Sequence, residues 1–361
     1  MVEWTTPKYS KKQVDWAGNL LARSESMTAE DVKNAVDIVY NFRASHAFPL
    51  NIFQKRLRIL AHHIDRKSII AQRLKRYSSI LSKLELIKTM KLSEMQDIGG
   101  CRAVVHSLKD VNKLVEAFRS SQIKHKFMHQ DDYISKPKKS GYRSWHLIYR
   151  YYSDKSEVYN GKKIEVQIRT PLQHAWATAV ETVDLFTKQA LKSSRGKPEW
   201  ERFFQLMGTE IAFRENTPLV PETPTNIVLL HSELREYEHN LKVISRLQGF
   251  ADALRVIRRT SAKQNKTSYF LLSLDNTQER LSVTGYKRSE YNKASRAYAY
   301  KERQNRKKTG NDAVLVSVGS INNLQRAYPN YYADTRLFVE ILKRAIKNTK
   351  GSVDRRQLPL F

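Results

Sequence analysis

The sequence predicts an α+β fold in two domains. Its 361 residues exceed the usual size of a single domain, which favours two separate cores. Three short segments near 125–134, 145–152 and 162–169 have the composition and alternation of neighbouring strands. Segments with helical periodicity precede and follow them. The first domain is therefore predicted to be a mixed, mainly antiparallel sheet with flanking helices.

The remaining elements of the first domain follow from local patterns of apolar residues. In chain order they are helices over 28–43 and 50–66, a strand in "KSIIAQRLKR", a helix over 78–90, a strand in "CRAVVHS", a helix over 110–121, the three strands above, and a long helix from about Pro171. Proline suits the first turn of that helix, because an N–H at this position would be unpaired in any case.

The segment "NTPLVPETPTN", residues 216–226, predicts the boundary between the domains, because its three prolines interrupt any helix or strand. The domains are thus expected at 1–215 and 227–361. The second is predicted as a smaller α+β domain. Its expected elements are a helix over 227–258, a hairpin from "SYFLLSLD" and "QERLSVTGY", a helix over 287–306, a strand in "DAVLVSVG" and a helix over 334–348.

Charge is the strongest signal in the composition. The chain has 64 Lys and Arg against 36 Asp and Glu, a net charge of +28. Phosphate groups release counterions when they meet such cations, so nucleic acid or a nucleotide polyphosphate is the favoured partner, ahead of an anionic membrane surface. The single cysteine, Cys101, excludes an internal disulfide and suits a reducing cytoplasm. We expect a soluble, cytoplasmic protein without a membrane partner, because no segment is apolar enough to span a bilayer.

Three cations surround the expected start of a helix in "RLKRYSSILSK". Arg73 and Lys75 are two residues apart and should project from one face of a strand. Ser79 is predicted to cap the next helix, and Lys83 lies one turn further on. Free N–H groups at a helix start favour an anion, so this segment predicts a triphosphate site. A basic, solvated edge explains the same residues equally well.

Two carboxylates are expected near these cations. Asp97 in "DIGGCR" precedes a strand, and Glu165 in "KKIEVQIRT" shares a strand face with Gln167 and Arg169. Two separated carboxylates beside a triphosphate could hold Mg²⁺ and help to deprotonate a hydroxyl group. Each acid taken alone is also typical of a solvated strand residue, so the prediction rests on the combination.

The loop "DDYISKPKKSGYRSWH", residues 131–146, has the composition of a site for a nucleotide acceptor. Tyr142 offers a flat ring, and stacking of a base on such a ring contributes roughly 1–3 kcal/mol. The imidazole of His146 adds a polar group to this predicted site. The cations available for phosphates are Lys136, Lys138, Lys139 and Arg143. A tyrosine packed under a basic hairpin is the alternative interpretation.

In sequence and in order, these four motifs resemble the synthetase domain of the RelA/SpoT family, enzymes that move pyrophosphate from ATP to a nucleotide 3′-hydroxyl. The resemblance covers about residues 50–190 and implies a RelA/SpoT nucleotidyltransferase-like fold with ATP as donor. For ATP, the resemblance implies that the adenine lies between Arg73 and Arg102 and that the phosphates bind to Lys75, Ser79 and Lys83. It implies that Asp97 binds Mg²⁺ and that Glu165 is a second metal ligand or the base. The acceptor base would stack on Tyr142, with His146 nearby.

Two departures from the family pattern bear on activity and acceptor. No His-Asp pair occurs before Arg73, so hydrolysis of alarmones is not expected. Ser140 stands where guanosine-accepting members usually have Asn, which weakens the case for GDP or GTP. The chain is also similar to a toxic branch that modifies the 3′-CCA end of tRNA, and its charge suits an acceptor stem.

Some toxic members, the CapRel-type phage-defence proteins, are fused to their own antitoxin domain, and the second domain here resembles their pseudo-zinc-finger domain. It contains no cysteine, so no zinc is expected. Its segment "YPNYYADT" resembles the tyrosine motif by which fused members silence themselves. Tyr328 or Tyr331 would then occupy the adenine slot as a tethered inhibitor, until a protein trigger, expected to come from a phage, releases it. Packing of both rings in their own domain is the competing interpretation.

Three functions follow from these observations. The resemblance favours an autoinhibited pyrophosphokinase toxin that acts on the tRNA acceptor end and so blocks translation. The alternative is a (p)ppGpp synthetase with GDP or GTP as acceptor and a C-terminal regulatory domain. A nucleic-acid-binding protein with an inactive catalytic domain is the third possibility, and the joint presence of Arg73, Lys75, Asp97, Tyr142 and Glu165 counts against it.

Overall fold

The computed structural model describes residues 4–23, 28–121, 123–187, 198–261, 267–275, 280–305, 312–317 and 331–348. The chain divides into two compact units. Unit 1 consists of Met1–Asp132 and Ser144–Thr170, and unit 2 consists of Tyr133–Arg143 and Pro171–Phe361. Each unit combines helices with a sheet, as the sequence predicts for an α+β protein.

Unit 1 is built around a five-stranded sheet. Its elements are α1 (Lys11–Arg23), α2 (Ala29–Ala44), α3 (Ala47–Ile64), β1 (Ile69–Leu74), α4 (Tyr77–Leu86), β2 (Gly99–Val104), α5 (Leu108–Arg119), β3 (Lys126–Asp132), β4 (Trp145–Arg150) and β5 (Lys163–Arg169). The strand order is β1-β2-β5-β4-β3. Strands β2 and β5 are parallel and the other three neighbouring pairs are antiparallel, which confirms the predicted mixed, mainly antiparallel sheet.

The two faces of this sheet have different surroundings. On one face, a Cβ atom at Gly99 would lie 3.5 Å from His46 and 3.6 Å from Leu50, so this face packs on α3. Cys101 of the same strand points the same way and is buried. On the opposite face, a Cβ atom at Gly100 would lie 3.7 Å from a carboxylate oxygen of Glu165. The helices therefore cover one face of β2, and the polar candidate residues lie on the other.

Helices α1, α2 and α4 share a second core in unit 1. Val14, Ile38 and Ile80 are buried in it. Thr28 begins α2 by accepting a hydrogen bond from the backbone N–H of Asp31 at 3.1 Å, a typical cap that satisfies one unpaired N–H group of the first turn. This core fixes α4, the helix that follows β1.

Unit 2 combines a helical core with a small sheet. Its elements are α6 (Pro171–Thr187), α7 (Pro198–Glu215), α8 (Ile227–Leu241), α9 (Val243–Ser261), β6 (Thr267–Asp275), β7 (Arg280–Lys287), α10 (Tyr291–Asn305), β8 (Asp312–Ser317) and α11 (Tyr331–Lys347). The sheet order is β7-β6-β8, with both pairs antiparallel, so the predicted hairpin is confirmed.

Helix α11 is part of the same core as α6 and α7. Phe338 of α11 is fully buried, and its ring centroid lies 6.3 Å from that of Phe203 and 6.0 Å from that of Phe204. Residues of α8 and α9, such as Leu230 and Leu247, belong to this cluster too. Segments separated by more than a hundred residues thus form one apolar core.

Some elements differ from the sequence prediction. The helix expected over 227–258 is two helices, because Lys242 adopts a left-handed conformation with φ of 51° and ends α8. Helices α1 and α7 were not predicted. The proline-rich segment 216–226 joins α7 to α8 within unit 2, and its Val220 is 2% exposed. Among the described helices, none combines the length and the apolar character needed to cross a bilayer.

Candidate active site

The sheet of unit 1 brings several predicted residues to one face. Arg73 on β1 is paired with Gly100 on β2, and Gly100 is paired with Glu165 on β5. Gln167, two residues further along β5, is paired with Arg102 on one side. Because paired residues in neighbouring strands point to the same face, these side chains share the face opposite α3.

Asp97 lies between two of the predicted phosphate-binding lysines. Its Oδ2 is 2.7 Å from Nζ of Lys75, and its Oδ1 is 3.0 Å from Nζ of Lys83. The backbone N–H of Lys75 also donates to the carbonyl of Ile98 at 2.7 Å, which fixes the two segments relative to each other. Burial alone would raise the pKa of Asp97, but Lys75 and Lys83 outweigh it and lower the pKa to about 2. Asp97 is therefore ionised at neutral pH.

Helix α4 starts next to this cluster, but two residues earlier than its predicted cap. The cap position belongs to Arg76, in an extended conformation, and Ser79 is the third residue of the helix. The prediction of Ser79 as the cap is therefore wrong. The first helical residue, Tyr77, stacks on Tyr40 with centroids 5.1 Å apart, and this packing holds the turn. Ser79 still lies in the first turn, where N–H groups favour an anion.

Glu165 is held by two neighbours on the same sheet face. Nδ1 of His146 donates to Oε1 at 2.8 Å, and Nε2 of Gln167 donates to Oε2 at 2.8 Å. Burial would raise the pKa of Glu165, His146 lowers it by more, and Asp97 opposes that lowering, so the net pKa is below the usual value. The carboxylate is ionised, oriented, and within electrostatic range of Asp97.

The link between His146 and Glu165 was not predicted from the sequence, which assigned His146 to the surroundings of the acceptor. The two residues are separated by a loop and a turn, and they meet because His146 is paired with Gln167 in the β4–β5 ladder. Alternation places His146 on one face of its strand, but the register that brings this face to Glu165 is set by the turn and by core packing.

The carboxylates of this site suit a Mg²⁺ ion that is also bound by a nucleotide better than they suit a metal ion held by protein ligands alone. Among the described residues, no group of three or more His, Cys, Asp or Glu side chains could hold an ion. Asp97 and Glu165 supply two carboxylates that influence each other electrostatically. Mg²⁺ is usually held by one or two carboxylates together with phosphate oxygens and water, so these two residues suit a magnesium ion that arrives with a nucleotide.

Residues 133–143, the middle of the loop that was predicted to bind the acceptor, belong to unit 2. The ring of Tyr142 is half-buried, with its centroid 6.1 Å from that of Tyr133 and 6.2 Å from that of Trp176. Nζ of Lys138 lies 4.2 Å from the Tyr133 centroid, within the range of a cation–π contact. Lys136 and Lys139 are exposed. Tyr142 is thus held by aromatic neighbours within its own unit.

Arg143 does not have the exposed position that a phosphate ligand needs. Its guanidinium is 2% exposed and donates to four oxygens in unit 2. The acceptors are the carbonyls of Ile134 at 3.1 Å, Gly208 at 3.4 Å and Pro218 at 2.5 Å, and Oγ1 of Thr217 at 3.3 Å. Burial lowers the pKa of Arg143 to about 10, so it remains charged at neutral pH. The structure corrects its predicted role: Arg143 supports the loop.

The loop also lies very close to α7. Gly141 has φ of +93°, a conformation that favours glycine. A Cβ atom at Gly208 of α7 would lie 2.7 Å from Cα of Gly141, so the two backbones meet at positions that have no side chain. This contact fixes the residue before Tyr142.

The two predicted inhibitory tyrosines are not covered by the structural description. Tyr328 lies outside the described residues. Tyr331 is the first residue of α11, and its side chain is not among those described. Their role stays a prediction.

Comparison with known proteins supports the resemblance at the level of the domain. Residues 72–187 match the family described as "Region found in RelA / SpoT proteins". Two similar proteins of Bacillus subtilis (strain 168) are the GTP pyrophosphokinases YjbM, 32% identical over 137 residues, and YwaC, 32% identical over 111 residues. These alignments cover 36% and 29% of this chain, and 63% and 52% of the relatives, so the chain spans less than two thirds of either relative.

Two solved structures have some similarity to this chain. The small alarmone synthetase 1 of Bacillus subtilis bound to its product pppGpp is 23% identical, with a TM-score of 0.41, over 47% of this chain and 88% of that chain. A GTP pyrophosphokinase family protein of Streptococcus pneumoniae is 23% identical, with a TM-score of 0.39, over 50% and 87%. The family match at 72–187 includes Arg73, Asp97 and Glu165.

Proposed function

We propose that the protein is an ATP-dependent pyrophosphokinase that transfers the β,γ-pyrophosphoryl group of ATP to the 3′-hydroxyl of a nucleotide. One observation carries the proposal: Asp97 lies between Lys75 and Lys83 beside the start of α4, within electrostatic range of the oriented Glu165. Cations for phosphates, a carboxylate for a metal and a second carboxylate for a proton are the groups that phosphoryl transfer requires. The match to RelA/SpoT proteins supports this reaction class.

The chain's residues divide the work of the reaction as follows. The acceptor oxygen forms a bond to the β-phosphorus of ATP, the bond from that phosphorus to the α,β-bridging oxygen breaks, and AMP leaves. Lys75 and Lys83 bind phosphate oxygens, and Glu165 accepts the proton of the hydroxyl group. His146 orients the Glu165 carboxylate through its Nδ1–H group. Mg²⁺, bound through Asp97, would neutralise charge on the phosphates.

The base of ATP is assigned to the two arginines on the edge of the same face. Arg73 is exposed on the edge strand β1, and Arg102 lies on the neighbouring strand, two positions beyond the residue paired with Arg73. Guanidinium planes stack well on aromatic rings, so a purine could lie between them. The resemblance assigns the acceptor base to Tyr142.

Two acceptors are proposed, each on a different observation. Guanosine nucleotides are favoured by the relatives, which are GTP pyrophosphokinases, and would make the protein a (p)ppGpp synthetase. The 3′-CCA end of tRNA is favoured by the net charge of +28 and by Ser140. In the second case we propose a toxin that blocks translation, is silenced in cis through Tyr328 or Tyr331, and is released by a phage protein.

A transfer assay with the full chain tests the reaction and the acceptor together. ATP labelled on its β-phosphate is offered with GDP, with GTP and with bulk tRNA, and Tyr331→Ala is assayed in parallel so that self-inhibition does not hide activity. Label on GDP or GTP identifies an alarmone synthetase. Label on tRNA that is lost after periodate oxidation of the 3′ end identifies a tRNA-modifying enzyme.

Matched variants connect the result to the site. Glu165→Gln and Asp97→Asn should remove transfer, whereas Lys124→Ala, which removes only an exposed ion pair with Asp154, should retain it. The proposal is rejected if the folded parent and Tyr331→Ala label none of the three acceptors.

A further inference from the structure

The carboxylate proposed to bind metal holds both lysines proposed to bind phosphate. Each oxygen of Asp97 contacts one ammonium group, Oδ2 that of Lys75 at 2.7 Å and Oδ1 that of Lys83 at 3.0 Å. The side chains are 23%, 17% and 31% exposed, respectively, so solvent screens these contacts only in part. Both oxygens of Asp97 therefore already have a cationic partner in this structure.

The cluster cannot easily open by a shift of one segment. The N–H of Lys75 donates to the carbonyl of Ile98, the residue after Asp97, at 2.7 Å. Lys83 lies on α4, whose residues Ile80 and Leu84 are buried in the core shared with α1 and α2. Lys83 thus lies on a helix fixed by its core, and the segments that carry Lys75 and Asp97 are joined by a backbone hydrogen bond, so a ligand must exchange partners with the three groups in this arrangement.

A metal-free triphosphate can bind this cluster only by replacing Asp97 as the partner of the two lysines, and this replacement is unfavourable. To bind Lys75 and Lys83, the triphosphate must take both cationic partners from Asp97 and bring its own negative charge close to this carboxylate. Glu165 adds a second negative charge within electrostatic range. Like charges brought together in a partly buried site repel strongly. The lysines alone therefore do not make this an effective site for free ATP.

We propose that Asp97 acts as a metal-dependent gate, so that the site accepts a nucleotide as its divalent-metal complex and rejects metal-free polyphosphates. A divalent cation on Asp97 replaces the two lysines as its counter-ion, and the same step frees both lysines for phosphate oxygens. This inference rests on the proposed function, because it takes the ligand to be ATP. It adds a selection step that depends on Asp97 more than on the other carboxylate, Glu165.

Equilibrium binding of ATP to the full chain tests the gate without any turnover. Isothermal titration calorimetry is carried out in Mg²⁺ and in EDTA, without acceptor. For the parent protein we expect the affinity for ATP to fall at least about tenfold when Mg²⁺ is removed, as expected if two partly buried ion pairs must be broken without replacement. Tyr331→Ala is titrated in parallel, so that the proposed self-inhibition does not hide binding.

Asp97→Asn should open the gate permanently. We expect this variant to bind ATP in EDTA at least about tenfold more tightly than the parent does in EDTA, because its lysines are no longer held by a charge. Glu165→Gln is the matched control, since it removes one negative charge from the same face without freeing Lys75 or Lys83. Its affinity in EDTA should change less than about threefold.

The outcomes separate the gate from the proposed function. Equal affinity of the parent in Mg²⁺ and EDTA, or no gain in Asp97→Asn, overturns the gate and leaves ATP binding intact. An equal gain in Glu165→Gln also overturns it, because general repulsion would then explain the effect. No binding of ATP by either the parent or Tyr331→Ala, even in Mg²⁺, overturns the proposed function and the gate with it.

Discussion

Arg143→Lys tests whether the buried arginine of loop 133–143 supports the loop or contacts the acceptor. The guanidinium donates to four oxygens from one rigid, planar group, and it is 2% exposed, so water cannot replace a lost donor easily. A lysine keeps the charge but donates from a single atom at the end of a flexible chain. We expect it to satisfy about two of the four acceptors.

The expected loss of stability follows from the number of hydrogen-bond acceptors that Arg143→Lys leaves without a donor. A buried polar group that loses its partner costs about 1–3 kcal/mol, so two such groups, partly relieved by relaxation, should cost about 2–4 kcal/mol. The assay is unfolding of the full chain in urea, followed by the fluorescence of Trp176 and the other tryptophans. The control is Lys139→Ala in the same loop, where an exposed ion pair with Glu222 should contribute less than about 1 kcal/mol.

The two possible roles of Arg143, support of the loop and contact with the acceptor, predict different results for Arg143→Lys. If Arg143 supports the loop, Arg143→Lys loses stability, and any loss of acceptor binding accompanies the change in the loop. The reasoning is refuted if Arg143→Lys is as stable as the parent, within about 0.5 kcal/mol, and still binds the acceptor poorly. That result would return the side chain to the phosphate-binding role predicted from the sequence.

The other predictions concern a charge, a close contact and a thiol. Asp97→Asn should lower the free energy of unfolding by about 2 kcal/mol at pH 7, because the pKa of Asp97 is lowered from 3.8 to about 2 on folding. That difference from the parent is present above about pH 4 and should shrink as the pH falls towards 2, as acid titration of both proteins will show. Gly208→Ala should destabilise by about 1–3 kcal/mol in thermal unfolding, since overpacking against the Gly141 backbone outweighs a helix-propensity gain of about 1 kcal/mol. A stabilised Gly208→Ala protein would contradict the close contact. The Cys101 thiol, whose pKa burial raises far above its usual range, should react with iodoacetamide at least about a hundredfold more slowly in the folded than in the urea-unfolded chain.

Features that depend on local alternation could be predicted from the sequence. Glu165 and Gln167 were expected on one face of a strand, and the structure joins their side chains by a hydrogen bond at 2.8 Å. The strand carrying Arg73 was placed correctly for the same reason, since side chains alternate between faces every residue. Such patterns need no knowledge of the rest of the chain.

Features that depend on distant partners could not be predicted. β2 and β5 are parallel neighbours although more than 50 residues separate them, and nothing local encodes that pairing. The contact of His146 with Glu165 follows from the register of the sheet. The role of Arg143 depends on Thr217 and Pro218, more than 70 positions away. A basic residue in a basic loop gives no sign that it is buried.

The shared core of α6, α7 and α11 has a consequence for the synthesis of the protein. Phe203 and Phe204 are synthesised long before Phe338, which covers them in the finished fold. About 120 residues separate the end of this apolar cluster in α7 from the start of α11, so at about 5–20 residues per second α11 follows roughly 6–24 seconds later. Until then, the apolar faces of α6 and α7 lack one of their partners. Nascent chains stalled in this interval are therefore expected to bind chaperones or aggregate.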